Sequence, residues 1–231
     1  MFHLVTGGSG SGKSEYAEGL ILESGAGRRF YLATMEVYGA EGRRKVERHQ
    51  RLRAGKGFET IECPRGLAEI SLDKGKDFSQ DLDQACKRNL APKVDKSRTE
   101  CAVLLECMSN LAANELFGAG EEAGLGPQPG ALPVSSVLQR IKKGILHVQS
   151  QCKLLVVVTN EVFSDGMDYG TETNEYIRLL GQINCWMARQ ADKVTEVVYG
   201  IPVAVKKGNV VSASPSKESC PEDRMKEEES V

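Results

Sequence analysis

Residues Gly7, Gly8, Ser9, Gly10, Ser11, Gly12, Lys13 and Ser14 form a run of phosphate-handling types. Gly7, Gly12, Lys13 and Ser14 fill the fixed positions of the G-x-x-x-x-G-K-[ST] pattern. Glycines let backbone N–H groups close around phosphate oxygens, and a helix starting there adds its unpaired N-terminal donors. Lys13 would bring a point charge to the β- and γ-phosphates, and Ser14 a hydroxyl ligand for Mg2+. Nucleoside triphosphate binding is the expectation. Such a site also wants an acidic group at the end of a nearby strand to hold the metal's water shell. Glu106, closing "CAVLLE", has that place, its other reading being a polar strand end. Asn160 and Glu161 close "VVVTNE" in the same way, at the kind of strand terminus where open α/β sheets collect ligands.

The second chemically loaded stretch is "RRKVERHQRLR", residues 43–53, with His49 among arginines and one lysine. Three readings stand side by side: a solvated basic face, a nucleic-acid charge patch, or a nucleophile. Lys45, Arg48, Arg51 and Arg53 disfavour the imidazolium by like-charge repulsion and so favour a neutral ring. A neutral ring nitrogen attacks phosphorus, and the same cations stabilise the charge that develops there. Nucleic-acid binding fits less well, because the segment lacks interleaved aromatics.

Positioning these groups requires strands that alternate with helices. "FHLVT", "FYLAT", "FETIEC", "CAVLLEC" and "KLLVVVTN" read as strands, and "TEVVYG" with "PVAVKKG" as a closing hairpin. Helical spacing runs through "GKSEYAEGLILES", "GAEGRRKVERHQRLRAG", "RGLAEIS", "MSNLAANELFG", "VSSVLQRIKKGILHVQSQ" and "TNEYIRLLGQINCWMARQADKV". The pattern predicts an α/β fold with a mostly parallel sheet, forming one domain over residues 1–211. Residues 72–100 read as a polar excursion with some helix around "FSQDLDQACKRNL". Residues 118–133 read as a Gly/Pro-rich loop, and 212–231 as a disordered polar tail.

A net charge of −2 supplies no global field for nucleic acid or anionic membranes. No apolar run reaches membrane-spanning length, and "MFHLVTGG" is no signal peptide. The seven cysteines contain no CxxC pair, which predicts reduced, mostly buried thiols in a cytoplasm and argues against zinc.

"LVTGGSGSGKSEYAE", "YLAT", "KVERHQRLR", "ETIEC", "LLECMSNLAANELF", "VVVTNEV" and "ADKVTEVVYGIPVAVK" occur in one order. In that order they resemble the bifunctional adenosylcobinamide kinase/adenosylcobinamide-phosphate guanylyltransferase family over most of residues 1–207. The resemblance implies a RecA-like P-loop fold, a homotrimer, and the substrates adenosylcobinamide and adenosylcobinamide phosphate. It implies Mg2+ as cofactor, with GTP and ATP as nucleotide substrates. The family's Arg-His segment falls on Arg48, His49 and Arg53, making His49 the implied guanylylated residue, with Lys13 catalytic in the kinase step. Glu62, in "ETIEC", joins Arg48, Arg53, Glu106 and the phosphate loop among the implied nucleotide contacts. After Val162 the chain departs from the family's glycine-rich Ile-Val-Pro turn, reading "FSDGMDYG" instead. Substrate contacts there do not carry over. Rival functions are a small-molecule P-loop kinase without a covalent intermediate, and a nucleotide-switched nucleic-acid-binding ATPase.

Overall fold

The computed structural model describes residues 1–36, 55–72, 101–118, 133–164, 166–167 and 169–208. The chain opens with β1 (Phe2–Thr6), whose glycine-rich exit leads to α1 (Lys13–Glu23) and then β2 (Arg28–Ala33). β3 (Phe58–Glu62) precedes a single 3-10 turn at Leu67–Glu69. β4 (Cys101–Glu106), α2 (Met108–Phe117), α3 (Val134–Ser150) and β5 (Leu154–Val158) follow. The chain then forms α4 (Thr171–Gln190), β6 (Lys193–Val198) and β7 (Ile201–Lys206).

These strands make one sheet in the order β3-β2-β4-β5-β1-β6-β7. All neighbours run parallel except β6 and β7, the antiparallel closing hairpin. One strand, β5, therefore separates the phosphate-loop strand β1 from the acidic strand β4, in the mostly parallel, helix-flanked sheet that the alternating pattern predicts.

Strand periodicity explains the layers. Val103, Leu105, Leu155 and Val157 face one side, where they pack with Leu111 of α2, Ile141 of α3 and Ile183 of α4. Their neighbours Ala102, Leu104, Val156 and Val158 face the other, against Ala17 and Ile21 of α1. Both faces are covered, so the central strands read as continuous apolar runs rather than alternating ones. Each fully buried large aliphatic contributes about 1.5–3 kcal/mol.

Two expected elements differ. "RGLAEIS" makes only the Leu67–Glu69 turn, entered through Gly66 in a left-handed conformation with its N–H bound to Glu115 Oε1 at 2.9 Å. The last predicted helix ends at Gln190 instead of continuing through "ADKV". Asp192 ends it: its N–H donates to Phe2 O at 2.8 Å, and its Oδ2 accepts the Phe2 N–H at 2.7 Å. Those two bonds draw Lys193 and Val194 into the sheet beside β1. The described cysteines are also less buried than expected: Cys63 and Cys101 are buried, Cys107 and Cys152 half-buried, and Cys185 exposed. The helix predicted around His49, the polar excursion predicted beyond Leu72, the 119–132 part of the predicted Gly/Pro-rich loop and the predicted disordered tail lie outside the described residues.

Candidate active site

The phosphate loop leaves the carboxyl end of β1 and turns into α1 within a few residues. Gly12 makes that turn possible, with φ +91° immediately before the helix, a conformation that side-chain-bearing residues rarely adopt. Gly7 is required by space, because a Cβ there would lie 2.5 Å from Val197 O. The loop is tied down on both flanks. Gly200 N–H, from the β6–β7 turn, donates to Ser11 O at 2.8 Å, and Glu161 N–H donates to Gly7 O at 3.1 Å.

Lys13 is 8% exposed, and its ammonium donates to Gly8 O at 2.9 Å. The charge is thus held inside the arc of the loop. Burial lowers the Lys13 pKa, while Cys107 and Glu106 act against that shift by favouring the ammonium. On the first turn of α1, Ser14 Oγ donates to Glu106 Oε1. The other carboxylate oxygen, Oε2, accepts from Tyr31 OH at 3.1 Å. This contact joins residues 92 positions apart because α1 lies over β5 and β4.

A cavity of about 310 Å³ opens here, within the size range of small-ligand sites. Lys13, Ser14, Glu106, Glu62, Asn110 and Asn160 line it. Glu62 and Glu106 end strands on either side of β2, both in register with Ala33. A cation and several hard oxygen donors thus face one space. Ser14 and Glu106 meet as hydroxyl and carboxylate, a donor pair that suits Mg2+, which takes few protein oxygens and completes its shell with phosphates and water.

Around this centre stand residues that sequence reasoning passed over. Tyr31 fixes the Glu106 carboxylate. Thr34 is fully buried; its hydroxyl donates to Cys107 O at 2.8 Å and accepts from Cys107 N–H at 2.7 Å. Ser109 Oγ accepts from Asn160 Nδ2 at 2.6 Å, so the ends of β4 and β5 are joined. For Ser109 the advance signal was the polar cluster "ECMSN" directly after an apolar strand, while Tyr31 and Thr34 are the two ends of the segment "YLAT".

His49, Arg48 and Arg53 lie outside the described residues. The root of their segment is described. Met35 lines the phosphate cavity, so the chain departs for residues 37–54 from the cavity's rim. Arg65 secures that point, its guanidinium donating to Glu36 Oε1 at 3.0 and 2.8 Å and to Gly118 O at 2.5 Å.

The family described as cobinamide kinase / cobinamide phosphate guanyltransferase (CobU) matches residues 3–82 and 82–205. The bifunctional adenosylcobalamin biosynthesis protein CobU of Salmonella typhimurium is 30% identical over 206 residues, covering 89% of this chain and all of the relative. Its counterpart in Escherichia coli K12 is 28% identical over 210 residues, with the same coverage. Among solved structures, a type III secretion ATPase is similar over 88% of this chain and 56% of its own, with a TM-score of 0.45 and 14% identity. A phosphate loop backed by an acidic strand end, inside a family match from residue 3 to residue 205, leads to one conclusion: the chain belongs to the cobinamide kinase / cobinamide phosphate guanyltransferase family.

Proposed function

We propose that this chain phosphorylates the aminopropanol hydroxyl of adenosylcobinamide and then transfers GMP from GTP to the new phosphate through a guanylyl-His49 intermediate. The observation that carries the reading is the Lys13–Ser14–Glu106 cluster at the mouth of β1 and β4, within a family match spanning almost the whole chain.

In the kinase step the loop's N–H groups and Lys13 hold the β- and γ-phosphates and offset charge on the transferred group. Ser14 and Glu106 would hold Mg2+, which supplies Lewis-acid charge neutralisation when bound. ATP and GTP are the phosphoryl donors of this reading. In the second step a His49 nitrogen attacks the α-phosphorus of GTP; a P–N bond forms, the bond to the β-phosphate oxygen breaks, and pyrophosphate leaves. The phosphate of adenosylcobinamide phosphate then attacks the same phosphorus, breaking the P–N bond and restoring the imidazole. Arg48 and Arg53 would stabilise the charge during both displacements, and Glu62 would contact nucleotide from the cavity wall.

The test uses α-labelled GTP. Wild-type protein will retain label that is released by acid and resists base, as a phosphoramidate does, and His49→Asn will retain none. Label that persists in His49→Asn, or survives acid, rules out His49 as the acceptor.

A homotrimer working in the cytoplasm completes the reading. No helix among the described residues is long and apolar enough to cross a membrane. β7 favours self-association: Ile201, Val203 and Val205 on this edge strand are 65%, 47% and 63% exposed. Val203→Asp will therefore sediment as a smaller species than wild type. An unchanged sedimentation profile would place the interface elsewhere.

A further inference from the structure

Beside the phosphate cavity lies a second depression of about 690 Å³, bounded by the turn after β5 and by the first half of α4. Neither the phosphate loop nor the Ser14–Glu106 cluster uses it. Its wall is apolar and aromatic, made by Val162, Tyr169, Tyr176 and Ile177, with the hydroxyl-bearing Ser164 and Thr173 set among them. More apolar surface continues outward on the same turn, where Phe163 is 42% and Met167 67% exposed. This turn belongs to the stretch "FSDGMDYG".

Two features join the groove to the reacting centre. Asn160 lines the phosphate cavity and Glu161 the groove, so consecutive residues form the ridge between them. The same Glu161 donates its backbone N–H to Gly7 O, seating the ridge directly on the phosphate loop. Ser109 braces both sides, its hydroxyl taking the Asn160 amide and its carbonyl the Tyr176 hydroxyl at 3.2 Å.

We infer that this groove seats the corrinoid acceptor, with its aminopropanol arm reaching over the Asn160–Glu161 ridge toward the phosphate cavity. The assignment rests on the function proposed above and names the place of its acceptor substrate. Chemistry selects the occupant. Among the described residues the groove's lining holds a carboxylate, Glu161, and no lysine or arginine, which disfavours a nucleotide's polyphosphate. An adenosylated cobalt corrinoid is the reverse: a broad apolar ring carrying net positive charge and rimmed by amides. Tyrosine and aliphatic side chains match the ring, Ser164 and Thr173 can exchange hydrogen bonds with the amides, and Glu161 complements the charge.

The experiment uses the full-length protein and the exposed positions Tyr169 and Thr173, whose replacement leaves the core untouched. For wild type, Tyr169→Ala and Thr173→Arg, the KM for adenosylcobinamide and the KM for nucleotide are measured in the kinase reaction. Binding of cobinamide alone is followed by equilibrium dialysis, and protein-bound label from α-labelled GTP is counted in the absence of corrinoid. The inference expects the corrinoid KM and the cobinamide Kd to rise at least tenfold in Thr173→Arg, and severalfold in Tyr169→Ala. The nucleotide KM and the GTP label should stay within twofold. Unchanged corrinoid KM and Kd in both variants, with wild type active, overturn the groove and leave the proposed function standing. So does a parallel rise in nucleotide KM, which would make the groove part of the nucleotide site. Wild-type protein that neither binds nor phosphorylates a corrinoid overturns the proposed function and the groove together.

Discussion

Replacing Glu106 by glutamine separates a metal-holding carboxylate from a merely structural one. The carboxylate accepts hydroxyl hydrogen bonds from Ser14 and Tyr31, one on each oxygen. A hydrogen bond to a charged group contributes about 1.5–3 kcal/mol and a neutral one about 0.5–1.5 kcal/mol. Glutamine keeps one oxygen, so one bond weakens and the other hydroxyl must turn its lone pair toward the amide. Both bonds border an open cavity in which water can substitute. The loss of stability is therefore about 2 kcal/mol or less. For a domain of this size that lowers Tm by roughly 4–8 °C. Native domains hold about 5–15 kcal/mol, so the variant stays more than about 99% folded at 25 °C.

Turnover responds on another scale. Removing one preorganised electrostatic group from a reacting centre costs about 100- to 1,000-fold in rate, or about 2.7–4 kcal/mol. The assay follows phosphorylation of adenosylcobinamide from γ-labelled nucleotide across a Mg2+ titration, alongside thermal melts of the same preparations. Glu106→Gln will lose at least two orders of magnitude per folded molecule and will need more Mg2+ to reach half its maximal rate. Turnover within twofold of wild type per folded molecule, with an unmoved Mg2+ midpoint, would refute the assignment.

Lys13→Ala will lower kinase turnover several hundred-fold or more, about 3–5 kcal/mol of barrier, without loss of the cooperative melt; near-wild-type rates would remove the phosphate-loop lysine from the mechanism. His3 gives a pH signature unrelated to catalysis. Burial, reinforced by Lys193, pushes its pKa from 6.5 to about 4 while its ring hydrogen-bonds Thr195 at 2.8 Å. The folded state thus favours the neutral ring, so this contribution is complete above the unfolded value of about 6.5 and is lost as pH falls toward 4. His3→Gln will flatten the stability profile across that window by up to about 1.4 kcal/mol per pH unit, read from denaturant unfolding. Parallel profiles would show that His3 titrates alike in both states.

The phosphate loop was legible in the sequence because everything that makes it work is local. Gly7, Gly12, Lys13 and Ser14 act through consecutive backbone, and the strand before them and helix after them follow from short-range periodicity. The central strands were legible for a related reason: a strand covered on both faces must be apolar at every position, as "CAVLL" and "LLVVV" are. Helix ends were less secure. The spacing of "ADKV" continues α4, but the two bonds between Asp192 and Phe2, 190 residues away, and the Lys206 ammonium on the carbonyls of Ala188, Arg189 and Ala191 hold its end at Gln190.

Sequence alone thus determined that a glycine-rich turn presenting Lys13 and Ser14 joins β1 to α1, and it nominated Glu106 as the acidic partner. Tertiary structure decided that the nominee arrives. Strand order is not written in any local stretch, and β5 must enter between β1 and β4 before α1 can carry Ser14 over to Glu106. Tyr31, Thr34 and Ser109 owe their places to the same long-range packing, as does the ridge at Asn160 and Glu161 that parts the phosphate cavity from the aromatic groove. Local rules fix which groups a turn presents; which turns meet is fixed by burying both faces of a sheet at once, a property of the whole chain.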